Sequence, residues 1–128
     1  MLRMQEPTFL ILTALAARPL HGYGIIQAVA ELSDGDVTLR AGTLYGALDR
    51  LADQGLITVD REEAVDGRLR RYYRLTDQGA AALATEADRL RRNAAAAAAR
   101  LGVRGQTSGG LATGGLATGG LTGRAATA

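Results

Sequence analysis

Four arginines crowd into seven residues, Arg68-Leu69-Arg70-Arg71-Tyr72-Tyr73-Arg74, together with two of the chain's four tyrosines. A guanidinium is planar, always charged and offers paired donors that match a phosphate or the acceptor edge of guanine. At this density such groups repel one another unless anions relieve them. Asp60, Glu62 and Glu63 stand close by and are candidate partners for Arg71 and Arg74, which leaves Arg68 and Arg70 to reach an external polyanion. A second set of candidates precedes the cluster in Gly42-Thr43-Leu44-Tyr45-Gly46-Ala47-Leu48-Asp49-Arg50-Leu51. Thr43 and Arg50 have the donors to meet base edges or phosphates, and the Tyr45 hydroxyl suits a phosphate.

Catalytic chemistry has no comparable foothold. His21 is the sole histidine, and cysteine and lysine are both absent, since every basic side chain is arginine. This excludes a cysteine nucleophile, a thiolate zinc site and a lysine-bearing phosphate loop, and it leaves the serines and carboxylates without a partner constellation. His21, beside Gly22 at a helix start, reads as a capping or packing residue. The expectation is a protein without enzymatic activity, cofactor or metal.

The candidates need elements to hold them. Pro7 suits the first turn of a helix running through Phe9-Leu10-Ile11-Leu12 to about Ala17, apolar on most sides, and Arg18-Pro19 ends it. A second helix starts around His21-Gly22-Tyr23-Gly24, with Ile25, Val29 and Leu32 at helical spacing and Ile26 beside them, all expected to face the core. After the turn cluster Ser33-Asp34-Gly35-Asp36, Val37-Thr38-Leu39 has the character of one short strand. In the third helix Leu44, Leu48 and Leu51 form the buried stripe, and Thr43, Gly46, Ala47 and Arg50 are assigned to the opposite side. Gly55 terminates that helix, and Leu56-Ile57-Thr58-Val59 changes the period from 3.6 to 2. A strand from Leu69 to Leu75 returns after the turn pair Asp66-Gly67, with Tyr73 and Leu75 inward and Tyr72 outward. The fold class is thus mainly α with a β-hairpin wing: a winged helix-turn-helix over residues 1–75, in which the third helix and the basic hairpin lie on one side, as in domains that grip duplex DNA.

Thr76 is placed as the N-cap of a fourth helix, residues 76–101, in which Leu83, Ala87, Leu90, Ala94, Ala97 and Leu101 follow one another at spacings of four and three. This narrow, small-sided seam is of the coiled-coil kind and suits a partner helix, so a homodimer is expected. Residues 102–128 contain nine glycines and the repeated Leu-Ala-Thr-Gly-Gly unit beginning at Leu111 and Leu116, which reads as a flexible tail. No apolar stretch approaches the roughly 20 residues of a membrane span, and the lack of cysteine fits a cytoplasmic location. The net charge of +2 decides little, because residues 1–75 hold nine arginines against ten acids. Attraction to phosphate must come from clustering.

His21-Gly22-Tyr23-Gly24-Ile25, Gly42-Thr43-Leu44-Tyr45 with Leu48-Asp49-Arg50-Leu51 and Gly55-Leu56-Ile57, and Gly67 to Thr76 with Gly79, in this order and spacing, resemble the PadR-like transcriptional regulators, specifically small members with one C-terminal dimerisation helix. The resemblance spans residues 7 to about 80. It implies a homodimeric, sequence-specific repressor of palindromic operator DNA, relieved in several members by aromatic or drug-like effectors at the dimer interface. Two departures bear on that transfer: Leu69 stands where the family's wing often has proline, and the fourth helix carries no aromatic residue to stack against a planar effector. The rival reading is a winged-helix protein-interaction module that does not bind DNA, favoured by the near-neutral charge of residues 1–75.

Overall fold

The computed structural model describes residues 3–109, with side chains through Arg104, and its elements follow in the order α1 (Glu6–Ala17), β1 (Leu20–His21), α2 (Gly22–Leu32), α3 (Ala41–Asp53), β2 (Ile57–Val65), β3 (Arg68–Leu75) and α4 (Asp77–Gly109). Pro7 lies in the first turn of α1, where its missing N–H leaves no helical bond unmade. Ile11, Leu12 and Leu15 of α1, Ile25 and Val29 of α2, Leu44, Leu48 and Leu51 of α3, and Ile57 and Tyr73 of the hairpin form the core. Among the described residues no helix is long and apolar enough to cross a membrane.

Three local expectations are corrected. Val37-Thr38-Leu39 forms no strand: the Ser33 hydroxyl accepts the Val37 N–H at 2.9 Å and donates to the Val29 carbonyl at 2.9 Å, so the segment is tied to the end of α2 and Leu39 drops into the core. The third strand is Leu20–His21, which pairs with β3 in the antiparallel order β1-β3-β2, Leu20 opposite Tyr73 and His21 opposite Tyr72. Leu32 is 51% exposed, because α2 ends there and the chain turns away at Ser33. Ala47, assigned to the open side of α3, is only 7% exposed and belongs to the core, since a small side chain lets the core wrap past the leucine stripe.

The hairpin is shaped by two irregularities. Asp66 and Gly67 both adopt positive φ, 52° and 76°, the twist of a two-residue turn that matches the strands it joins. On the other side of the ladder, Val59 faces Tyr73 and Arg61 faces Tyr72, so Asp60 is the extra residue of a bulge. At the base, Gly55 closes α3 with φ 78°, and its carbonyl accepts the Thr76 hydroxyl at 2.7 Å. The same Thr76 oxygen accepts the Gly79 N–H at 2.9 Å, so the expected N-cap of α4 also fastens the hairpin's exit to the end of α3.

Met1–Asp88 and the chain from Arg89 onward are separate compact units. In the first, Leu83 lies partly buried against the core. In the second, α4 runs through Gly102 to Gly109, past Leu101 where the sequence places the end of the helix. A helix once started adds one hydrogen bond per residue, so propagation reaches into glycine-bearing sequence. The rest of the expected tail lies outside the described residues.

Candidate nucleic-acid interface

The arginine cluster divides into two populations. Arg71 Nε donates to Glu62 Oε2 at 3.0 Å across the ladder, and Arg74 Nε lies 3.7 Å from Asp60 Oδ1. Arg61 joins them, donating from Nε to Glu63 at 3.0 Å and from Nη1 to Asp60 at 3.1 Å. The bulge makes this possible by freeing Asp60 from the ladder, where it serves both Arg61 and Arg74. The hydrogen bond from Arg61 holds the Glu63 carboxyl below its ordinary pKa. Arg68 and Arg70, nearest the turn, make no ion pair with any described residue. The pairing of Arg71 and Arg74 with the acids before the cluster is as the sequence suggests, and it selects Arg68 and Arg70 by elimination.

Those two arginines line an open groove with His21, Tyr23, Tyr45 and Asp49, so the tip of the wing and the third helix share one concave surface. Tyr45 is 48% exposed, and its hydroxyl end rests on Gly22 at the start of α2. A Cβ at Gly22 would lie 2.9 Å from Tyr45 Cζ, closer than any side chain tolerates, so glycine at this point lets α3 bring its tyrosine over the end of α2. Neither α2 nor α3 receives a side-chain cap at its N-terminus, nor has either an acid in its first turn. Their first N–H groups therefore keep the partial positive charge that favours an anion.

Thr43 is exposed on α3. Arg50 is also exposed but lines a different cleft, with Arg3, Thr8, Gln54 and Glu86, so the structure does not bring it to the groove of Tyr45 and the wing. The groove also admits two residues that sequence reasoning did not choose. Asp49 stands in the helix beside Arg50, and nothing in its local spacing distinguishes it. His21 was set aside as a packing residue, and its packing is with the wing: it stands edge-on to Tyr72 with ring centroids 5.2 Å apart, while Arg61 lies over the same tyrosine at 3.9 Å. Its Nδ1 is buried without a hydrogen-bond partner, and burial followed by the charge of Arg70 lowers its pKa, against an opposing pull from Glu63. His21 is therefore neutral and sensitive to what happens at Arg70. Among the described residues no group of three or more histidines, cysteines or acids could hold a metal ion.

A helical unit whose third helix shares a groove with a cationic hairpin is a winged helix-turn-helix domain. Residues 11–85 match the family described as the transcriptional regulator PadR-like family, and the chain belongs to it. Two of its relatives carry the name of transcriptional regulator. The chain is 37% identical over 75 residues to the transcriptional regulator YqjI of Escherichia coli K12, covering 59% of this chain and 34% of that one. It is 44% identical over 73 residues to the transcriptional regulator Rv3488 of Mycobacterium tuberculosis, covering 57% and 64%. The chain thus spans a third to two thirds of these relatives. Among solved structures, a PadR family transcription regulator from Clostridium difficile R20291 superposes with a TM-score of 0.64 at 25% identity, covering 76% of this chain and 99% of that one. Bacillus subtilis PadR in complex with operator DNA superposes with a TM-score of 0.57 at 27% identity, covering 63% and 47%.

Proposed function

We propose that this chain is a sequence-specific DNA-binding repressor that acts in the cytoplasm as a homodimer on palindromic operator DNA. The observation that carries this reading is the unpaired state of Arg68 and Arg70 beside α3, while Arg71 and Arg74 on the same strand are neutralised. Two cations that make no ion pair, in a groove with a half-exposed tyrosine and uncapped helix ends, suit a phosphate backbone. Family membership and the operator complex of Bacillus subtilis PadR support the same reading. In it α3 enters the major groove, Thr43 reads a base edge, Tyr45 and Arg50 meet phosphates, and Arg68 and Arg70 reach the adjoining backbone or minor groove.

The dimer rests on α4. Leu90 and Leu101 are 39% and 63% exposed, and Ala94 and Ala97 between them are also exposed, so the lower part of the seam is available to a second copy. Two such domains spaced by about 34 Å meet half-sites one turn apart. Anisotropy titration of the purified chain against duplex from its own promoter at two salt concentrations, with light scattering of the free protein, tests both parts. Salt-independent binding or a monomer at micromolar concentration defeats the reading. Release of that duplex by a panel of small aromatic compounds tests for an effector.

A further inference from the structure

Asp49 is exposed on α3 and lines the groove of Tyr45, Arg68 and Arg70, yet among the described residues it makes no ion pair and no hydrogen bond. Its helical neighbours cannot neutralise it. The positions three and four residues away hold Tyr45, Gly46, Ala52 and Asp53, none cationic and one a like charge at the spacing where repulsion is felt. Arg50, the next residue, lines the separate cleft. The two positions before Asp49 on the same stripe of α3 are bare: a Cβ on Gly42 would meet nothing within 4 Å, and one on Gly46 only the end of Arg50, 3.7 Å away. Nothing inside the domain calls for glycine at either place, and both weaken the helix relative to alanine. A carboxylate beside uncovered backbone, on the side of α3 that faces outward, is suited to a surface that comes very close.

That surface cannot be phosphate, which repels a carboxylate. The floor of the major groove offers two donors, the amino groups of cytosine (N4) and adenine (N6). An ionised carboxylate only accepts hydrogen bonds, and adenine sets the acceptor N7 beside its amino group, whereas cytosine has no such neighbour. Resting on the DNA-binding reading above, we propose that Asp49 is a base-reading residue that accepts a hydrogen bond from cytosine N4, so that each half-site carries a C·G pair under the middle of α3. Asp49 thereby sets sequence preference, and the wing arginines set affinity.

Selection of bound duplexes from a randomised pool by the wild-type chain, Asp49→Asn and Asp49→Ala tests this, with melting curves showing that each protein is folded. The wild type is expected to retain cytosine at one position per half-site. Asn, whose amide both donates and accepts, should move that position to adenine, and Ala should erase the preference while holding or raising affinity for random duplex. The discrimination at stake is about tenfold in either variant. Identical preferences in all three proteins, with a uniform rise in affinity on removing the charge, would overturn the proposal and leave Asp49 as a field charge. A folded wild type that retains no duplex would overturn the DNA-binding reading itself, and this proposal with it.

Discussion

The base and the tip of the wing carry the same side chain in opposite conditions. At the base, Arg71 and Arg74 are held by Glu62 and Asp60 on the neighbouring strand, and Arg61, held by Asp60 and Glu63 of its own strand, also covers Tyr72. Near the tip, Arg68 and Arg70 make no ion pair with any described residue, although Glu63 stands across the ladder from Arg70. The base arginines stiffen a two-stranded arm that would be marginal alone, and the tip arginines hold their charge in reserve. A near-neutral domain can therefore present a cationic end, because what an approaching polyanion meets is the local imbalance and not the sum. The near-neutral charge that favours an interaction module is concentrated where acids and arginines cancel.

Exchanging the two populations gives the largest expected effect. Replacing Arg68 and Arg70 together by alanine should weaken binding to specific and random duplexes alike and lower the salt dependence by about two contacts' worth, whereas the Arg71 and Arg74 pair should change it by less than about one. Equal slopes in the two double variants would erase the distinction between tip and base. Next in size is the wall opposite the tip. Gly22→Ala should destabilise the domain by about 1–3 kcal/mol in urea titration by driving a methyl group into Tyr45, with recovery in the double variant that also carries Tyr45→Ala. A Gly22→Ala protein of unchanged stability would show that Tyr45 does not rest there.

A smaller effect should come from converting a base arginine into a tip-like one. Glu62→Gln releases Arg71 and should raise affinity for random duplex by about two- to fivefold, the range of an exposed ion pair, with little change in melting temperature. The most delicate readout is the single histidine. His21 is held below its ordinary pKa by burial and then by Arg70, so its neutral form stabilises the fold above its unfolded pKa and that contribution is lost as pH falls through and below that value. Proton NMR titration should find the midpoint moved upward by Arg70→Ala and unmoved by Arg71→Ala. An identical shift in both would mean that His21 senses total wing charge and not the tip.

What could be read without the fold was local. The leucine stripe of α3 follows from the 3.6-residue period, the Thr76 cap from its oxygen beside the first free N–H groups of α4, and the hairpin turn from an Asp-Gly pair able to take positive φ twice. Each depends on residues within a few positions of one another, so residue type and spacing carry the information. A two-residue strand at Leu20–His21 has no period to detect, and only the backbone of β3 makes it a strand. The bulge at Asp60 is equally silent, being a mismatch between two strands and not a property of either one. Ala47 was misplaced for a related reason: an alanine fits either side of a helix until the neighbours are known.

The amino-acid order by itself determined that a cationic hairpin follows a leucine-striped helix and that every basic side chain but one histidine is arginine, because those are matters of composition and short-range pattern. Only the tertiary structure decided that Asp60 serves both Arg61 and Arg74, that Arg50 belongs to another cleft, and that Asp49 shares the groove with Arg68 and Arg70. Ion pairing and groove geometry depend on distances of a few ångströms between residues far apart in the chain, and the packing of α3 against α2 and the register of the hairpin set those distances.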